Sequence, residues 1–162
     1  MNGEKYQLDG HVLNAVAGHG EMSLKTLTGR LGYEQVSVSA KYDVRQSASR
    51  TAEIAFIRNS DRFHLSAAAN TRGPLKTDVS IDVSTPIEAY RSMRLDCRYD
   101  LGSQSTTSVA FVRNGQVIRL STTGSFQSPS QGKLDWALET PFSGWQNLQG
   151  TVKPKHLHLT IT

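Results

Sequence analysis

The hexapeptide TPFSGW at residues 140–145 has two counterparts earlier in the chain, TGRLGY at residues 28–33 and TPIEAY at residues 85–90. The flanking sequences agree as well, because AFIRN at residues 55–59 matches AFVRN at residues 110–114. Self-similarity at a fixed period, here about 55 residues, is typical of a protein built from structural repeats. This repeat argues against a compact enzyme.

The repeat also sets the domain organisation. At 162 residues the chain needs no second domain. We interpret it as one repeat segment, divided into a partial repeat at 1–32, full repeats at 33–89 and 90–144, and a partial repeat at 145–162. Because the first and last units are incomplete, we expect the chain to be a piece of a longer array.

Apolar and polar residues alternate along most of the chain, which is the period of a β-strand. Each full repeat contains four such runs, separated by short turns at Asn59-Ser60, near Gly73-Pro74 and at Asn114-Gly115. The Asn-Gly pair is typical of a two-residue hairpin, and short connections permit only antiparallel pairing. The sequence therefore predicts an all-β fold, an antiparallel up-and-down meander of about twelve amphipathic strands.

The alternation assigns one set of apolar side chains to a common face of the predicted sheet. We expect this face to contain Val36, Val38, Ile54, Phe56, Phe63, Leu65, Ile81, Met93, Leu95, Phe111, Leu120 and Trp136. Such a face must be buried against a second sheet, a helix layer or lipid. No helical periodicity is present to supply a helix layer. The same modest apolar face recurs on every strand, which favours a broad platform over a sandwich.

Trp145 ends the third copy of the hexapeptide. An indole suits a boundary between apolar and aqueous surroundings, so Trp145 is a candidate interface anchor. Core packing at a strand end is the alternative interpretation.

The sequence offers no set of residues that would support catalysis or metal binding. A single cysteine, Cys97, excludes an internal disulfide framework and a cysteine-only zinc site. His156 and His158 would share one face of a strand, but no cysteine or carboxylate lies at a useful spacing. We interpret them as solvent-facing histidines. The chain is expected to be non-catalytic and to need no cofactor.

The formal net charge of +4 permits anionic partners. Nucleic-acid binding would require aromatic side chains presented among the basic ones. Tyr42 and Phe111 instead alternate out of phase with Lys41, Arg94 and Arg98. We therefore expect no nucleic-acid partner, and we interpret the basic residues as part of a solvated face.

The hexapeptide resembles the Thr-Pro-Phe-x-Gly-aromatic element that recurs between amphipathic strands in apolipophorins. These belong to the large lipid transfer protein superfamily, with apolipoprotein B and, more distantly, the vitellogenins. The copy at residues 140–145 matches this element, whereas the first copy has Gly29-Arg30 in place of Pro-Phe and the second has Glu88-Ala89 in place of x-Gly. The resemblance implies a secreted lipoprotein whose amphipathic sheet adsorbs to phospholipid or neutral lipid, and it carries over no catalytic residue.

Two functional hypotheses follow. The first is non-catalytic lipid carriage through the apolar face. The second is an extracellular structural or adhesion module that binds a protein or a polysaccharide through its polar face. In addition, an exposed apolar face and unpaired sheet edges predict self-association.

Overall fold

The computed structural model describes residues 7–16, 18–29, 31–102, 104–128, 131–153 and 156–161, and most of these lie in strands. The strands are β1 (Gln7–Val16), β2 (His19–Leu27), β3 (Gln35–Gln46), β4 (Ser49–Arg58), β5 (Asp61–Thr71), β6 (Lys76–Ser84), β7 (Ser92–Leu101), β8 (Ser105–Arg113), β9 (Gln116–Ser128), β10 (Gln131–Glu139), β11 (Asn147–Lys153) and β12 (His156–Ile161). Within these ranges the helical structure is limited to one 3₁₀ turn, Glu88–Tyr90. None of the described helical structure is long or apolar enough to cross a membrane.

All twelve strands form one antiparallel sheet in which each strand pairs with its neighbours in the sequence. The spatial order therefore runs from β1 to β12 without a crossover. Each full repeat contributes four strands, β3 to β6 and then β7 to β10. The predicted all-β antiparallel meander is confirmed.

The predicted turns are also present. Asn114 and Gly115 have φ angles of 48° and 83°, so both residues of this turn have the positive φ that a type I′ hairpin requires. Asn59 has a φ of 54° in the equivalent turn of the preceding repeat. Gly73, with a φ of 84°, lies in the connection between β5 and β6.

The sheet is a single layer with almost no core. Among the residues whose burial is described, the only buried hydrophobic side chains are those of Ala55 and Ala110, each with 7% of its surface exposed. Two glycines, Gly20 and Gly124, are also buried. The molecule has an accessible surface of 11859 Å². A compact protein of 17.8 kDa would expose about 8,000 Å². No other layer of the described chain covers either face.

Candidate functional site

Cross-strand register places the twelve predicted apolar residues on one side of the sheet. Directly opposed residues of an antiparallel pair project to the same side, and Val38, Phe56 and Phe63 are successive partners across β3, β4 and β5. The same register includes Val36, Ile54, Leu65, Ile81, Met93, Leu95, Phe111, Leu120 and Trp136. We call this side the apolar face. It extends to neighbouring strands through Met22, Leu24, Val79, Val83, Cys97, Val109, Ile118, Leu138 and Leu148.

Aromatic rings on the apolar face lie against the backbone of adjacent strands. A Cβ atom on Gly150 would lie 2.6 Å from Nε1 of Trp136, its cross-strand partner. A Cβ atom on Gly20 would likewise lie 2.6 Å from Cε1 of Tyr42. Because these positions are glycines, both rings can lie across the neighbouring strand. The apolar face is therefore low in relief at these points.

The opposite side, which we call the polar face, carries ion pairs, most of which join adjacent strands. Lys41 Nζ lies 2.5 Å from Glu53 Oε2, and His64 Nε2 lies 2.7 Å from Glu53 Oε1. The hydrogen bond from Lys41, followed by that from His64, lowers the pKa of Glu53. Further pairs join Arg98 to Asp78, Arg94 to Asp82 and Asp96, Lys76 to Asp100, and Arg119 to Glu139. These contacts indicate a face adapted to water.

Both buried alanines belong to the polar face. Ala55 lies between Ser39 and His64 in the cross-strand register, whereas Ala110 lies between Asp96 and Arg119. Longer polar side chains surround these small residues, so the alanines are shielded without a second layer. Their burial therefore marks no hidden core.

Charge is segregated between the two faces. In the strand segments with a defined register, the apolar face carries charge only near strand ends, at Arg50, Arg58, Asp61 and Arg113. The middle of the apolar face contains no ionisable acid or base other than Tyr42, Cys97 and Tyr99. The polar face carries Asp9, Glu21, Lys25, Lys41, Asp43, Glu53, Arg62, Lys76, Asp78, Asp82, Arg94, Asp96, Arg98, Asp100, Arg119, Lys133, Asp135, Glu139 and Lys153.

The three hexapeptides form equivalent connections at one end of the strands, between β2 and β3, β6 and β7, and β10 and β11. In each loop the threonine hydroxyl donates to the carbonyl of the aromatic residue five positions later, at 2.7, 2.9 and 2.6 Å for Thr28, Thr85 and Thr140. The same threonine N–H donates to the carbonyl six positions later. The repeated hexapeptide is thus a closed hydrogen-bonded loop.

Trp145 lies in the last of these loops with 60% of its surface exposed. Its carbonyl accepts the hydrogen bond from Thr140, while its side chain lies outside the twelve strands. The interpretation of Trp145 as a core residue at a strand end is wrong. Phe142, in the same loop, is also exposed.

An asparagine fastens each of the first two loops to the next hairpin. Asn59 Oδ1 accepts a hydrogen bond from Gln35 N, and Asn114 Oδ1 accepts one from Ser92 N. Asn114 Nδ2 also donates to the carbonyls of Glu88 and Ala89. These contacts hold the first two hexapeptide loops against the neighbouring hairpins at the same end of the strands.

Sequence reasoning did not single out the arginines of the apolar face. Arg113 lies two positions after Phe111 in β8, so the strand period would have placed both on one face. The Asn114-Gly115 pair directly after Arg113 predicted only a hairpin. Arg58 and Arg50 follow from the same period in β4.

No group of three His, Cys, Asp or Glu side chains in the described segments is arranged to hold a metal ion. His156 and His158 lie in β12, where their backbones pair with Lys153 and Thr151 of β11. Cys97 lies between Val79 and Val109 on the apolar face.

What the arrangement offers is an extended uncharged surface, exposed to its surroundings and backed by a charged hydrophilic one. Comparison with known proteins found no family model, no curated protein and no solved structure that matches this chain.

Proposed function

We propose that this chain is a non-catalytic lipid-binding segment of a secreted lipoprotein, and that its apolar face adsorbs to phospholipid or neutral lipid. The observation that carries the proposal is the segregation of charge across a single-layer sheet. The apolar face is uncharged except near its rims, whereas the polar face carries ion pairs. A surface of this kind separates an apolar phase from water.

The exposed area supports the same conclusion. The accessible surface of 11859 Å² exceeds that of a compact protein of this mass by roughly 4,000 Å². At about 25 cal/mol per Å² of buried apolar surface, covering even part of this excess contributes on the order of tens of kcal/mol. Large exposed apolar patches of soluble proteins usually mark interaction sites.

The low relief of the apolar face and its lack of charge favour lipid over a protein partner. The apolar face is low in relief where rings lie across Gly20 and Gly150. Its middle also carries no charged side chain, and its polar groups there are scattered hydroxyls such as those of Tyr42, Tyr99 and Thr122. Acyl chains require neither shape complementarity nor hydrogen bonds, so they suit such a surface.

The test is flotation of the chain with phosphatidylcholine vesicles, using two adjacent residues of β9 that project to opposite faces. Leu120 belongs to the apolar face, with 43% of its surface exposed, and Ser121 belongs to the polar face. Leu120→Glu and Ser121→Glu change the net charge equally. We expect Leu120→Glu to weaken vesicle binding at least about tenfold, because it removes the burial of a leucine side chain.

Ser121→Glu should bind vesicles like the parent chain. Light scattering without lipid should show self-association of the parent that Leu120→Glu reduces. Equal losses of binding in both variants, or a parent chain that ignores vesicles, would overturn lipid binding and favour the structural or adhesion module.

A further inference from the structure

We infer that the lipid surface bound by the apolar face is an anionic phospholipid surface, whose headgroups contact Arg50 and Arg113 at opposite rims of that face. This inference rests on the proposed function. It concerns the choice of lipid, which the apolar residues alone do not determine.

The positions of the two arginines come from the cross-strand register. Arg50 opposes Ala69 near the beginning of β4, and Arg113 opposes Met93 at the end of β8. β4 and β8 run in the same direction, so Arg50 and Arg113 lie at opposite ends of the strands. Both side chains are exposed. Neither forms an ion pair with a carboxylate of the described residues.

A comparison between repeats shows why Arg113 lacks a partner. Its counterpart Arg58 contacts Asp61 at 2.8 Å and lies over the ring of Tyr33, 5.6 Å from its centroid. Arg58 opposes Asp61 across its hairpin, whereas Arg113 opposes Gln116. The second repeat therefore keeps the cation and replaces its carboxylate by an amide.

The balance of charge on the apolar face is consequently positive. Its strand segments carry three arginines and one aspartate, and that aspartate is engaged by Arg58. Among the described residues outside the strands, Glu34 and Glu88 are equal in number to Arg72 and Arg91, so these connections add no net charge.

A cation at the rim of an adsorbed apolar face lies at the level of the headgroups. Each basic residue close to an anionic membrane surface strengthens binding by about fivefold, and salt screens the effect. The polar face faces away from the lipid, so its cations should contribute little. Arg62 and Lys25 are exposed polar-face cations without an ion pair in the described part of the chain, so they provide matched controls.

The experiment compares flotation on phosphatidylcholine vesicles with and without phosphatidylserine, at low and at physiological ionic strength. The parent chain should bind the serine-containing vesicles more tightly. Arg50→Gln/Arg113→Gln should weaken that binding by about 25-fold and leave binding to pure phosphatidylcholine unchanged. Arg62→Gln/Lys25→Gln, with the same net charge, should retain the preference.

The outcomes separate the two proposals. Binding to both vesicle types without a preference would overturn the anionic-headgroup inference and leave lipid binding intact. A greater loss in the polar-face control would overturn it as well, because the polar face would then meet the membrane. Failure to bind either vesicle would contradict the proposed function itself.

Discussion

At the scale of single residues, asparagine is required at the hairpins for two reasons. Asn114 has a φ of 48°, a left-handed conformation that asparagine tolerates better than most residues with a Cβ atom. Its side chain also receives a hydrogen bond from Ser92 N and donates to the carbonyls of Glu88 and Ala89. One side chain therefore satisfies three backbone groups, two in the preceding loop and one at the start of β7.

Asn114→Ala should lower the free energy of unfolding by about 1–3 kcal/mol, because it removes these hydrogen bonds and retains the unfavourable φ. Asn114→Gly relieves the backbone strain but not the lost hydrogen bonds, so its stability should lie between those of the parent and the alanine variant. Urea titration followed by circular dichroism measures the order. A glycine variant as stable as the parent would show that only the backbone conformation matters.

The roles of these residues could be anticipated only in part. The Asn-Gly pair predicted the turn at residues 114–115, because the requirement for positive φ is local. The bonds to Ser92 and Glu88 were not foreseen, since they join positions 22 and 26 residues apart. Similarly, nothing in the sequence distinguished Ala55 from other alanines, because its burial depends on side chains of two adjacent strands.

At the scale of elements, the strands followed from the sequence and the loops did not. Period-two alternation over β3 to β10 predicted which residues share a face, because the side-chain period of a strand is 2. The hexapeptide was recognised as a repeat, but its closed hydrogen-bonded geometry and the 3₁₀ turn at Glu88–Tyr90 depend on loop conformation. Loop conformation has no comparable periodic signal.

Thr140→Val should destabilise the chain by about 1 kcal/mol, because the hydroxyl that bonds the carbonyl of Trp145 is lost without a change of shape. Thr122→Val is the matched control. Thr122 lies in β9 opposite Trp136, and no hydrogen bond of its hydroxyl to a described residue is found. Thermal unfolding should show a lower midpoint for Thr140→Val than for Thr122→Val, and the reverse order would contradict a structural role for the loop threonine.

At the scale of the whole molecule, the sheet is held together by neighbouring-strand contacts and ion pairs on one face. Hydrogen bonds and nearby cations lower the pKa of several carboxyl groups: Glu34, Asp43, Glu53, Asp96, Asp100 and Asp135. The pKa of Asp43 falls to about 2, chiefly through its hydrogen bond from Arg45. These groups link the stability of the sheet to pH.

A carboxyl group whose pKa is lower in the folded than in the unfolded state stabilises the fold above its unfolded pKa of about 4. That contribution is lost as the pH falls through the folded value. We expect the urea midpoint to be steady from about pH 7 to about pH 5 and to decline towards about pH 2. Added salt should reduce the decline, and Asp43→Asn should flatten it at its acidic end. A midpoint that rises on acidification would contradict these pKa directions.

Because every full repeat contains four strands, each repeat covers a fixed area of the sheet. Four strands at about 4.8 Å and about 30 Å of strand length cover roughly 600 Å² per repeat. Each strand pairs only with its neighbours in the sequence. Whole repeats can therefore be added or removed without changing the strand register of the remaining repeats. The footprint on a droplet or vesicle would then grow in equal steps, and the number of repeats in a chain would set how much surface one molecule can coat.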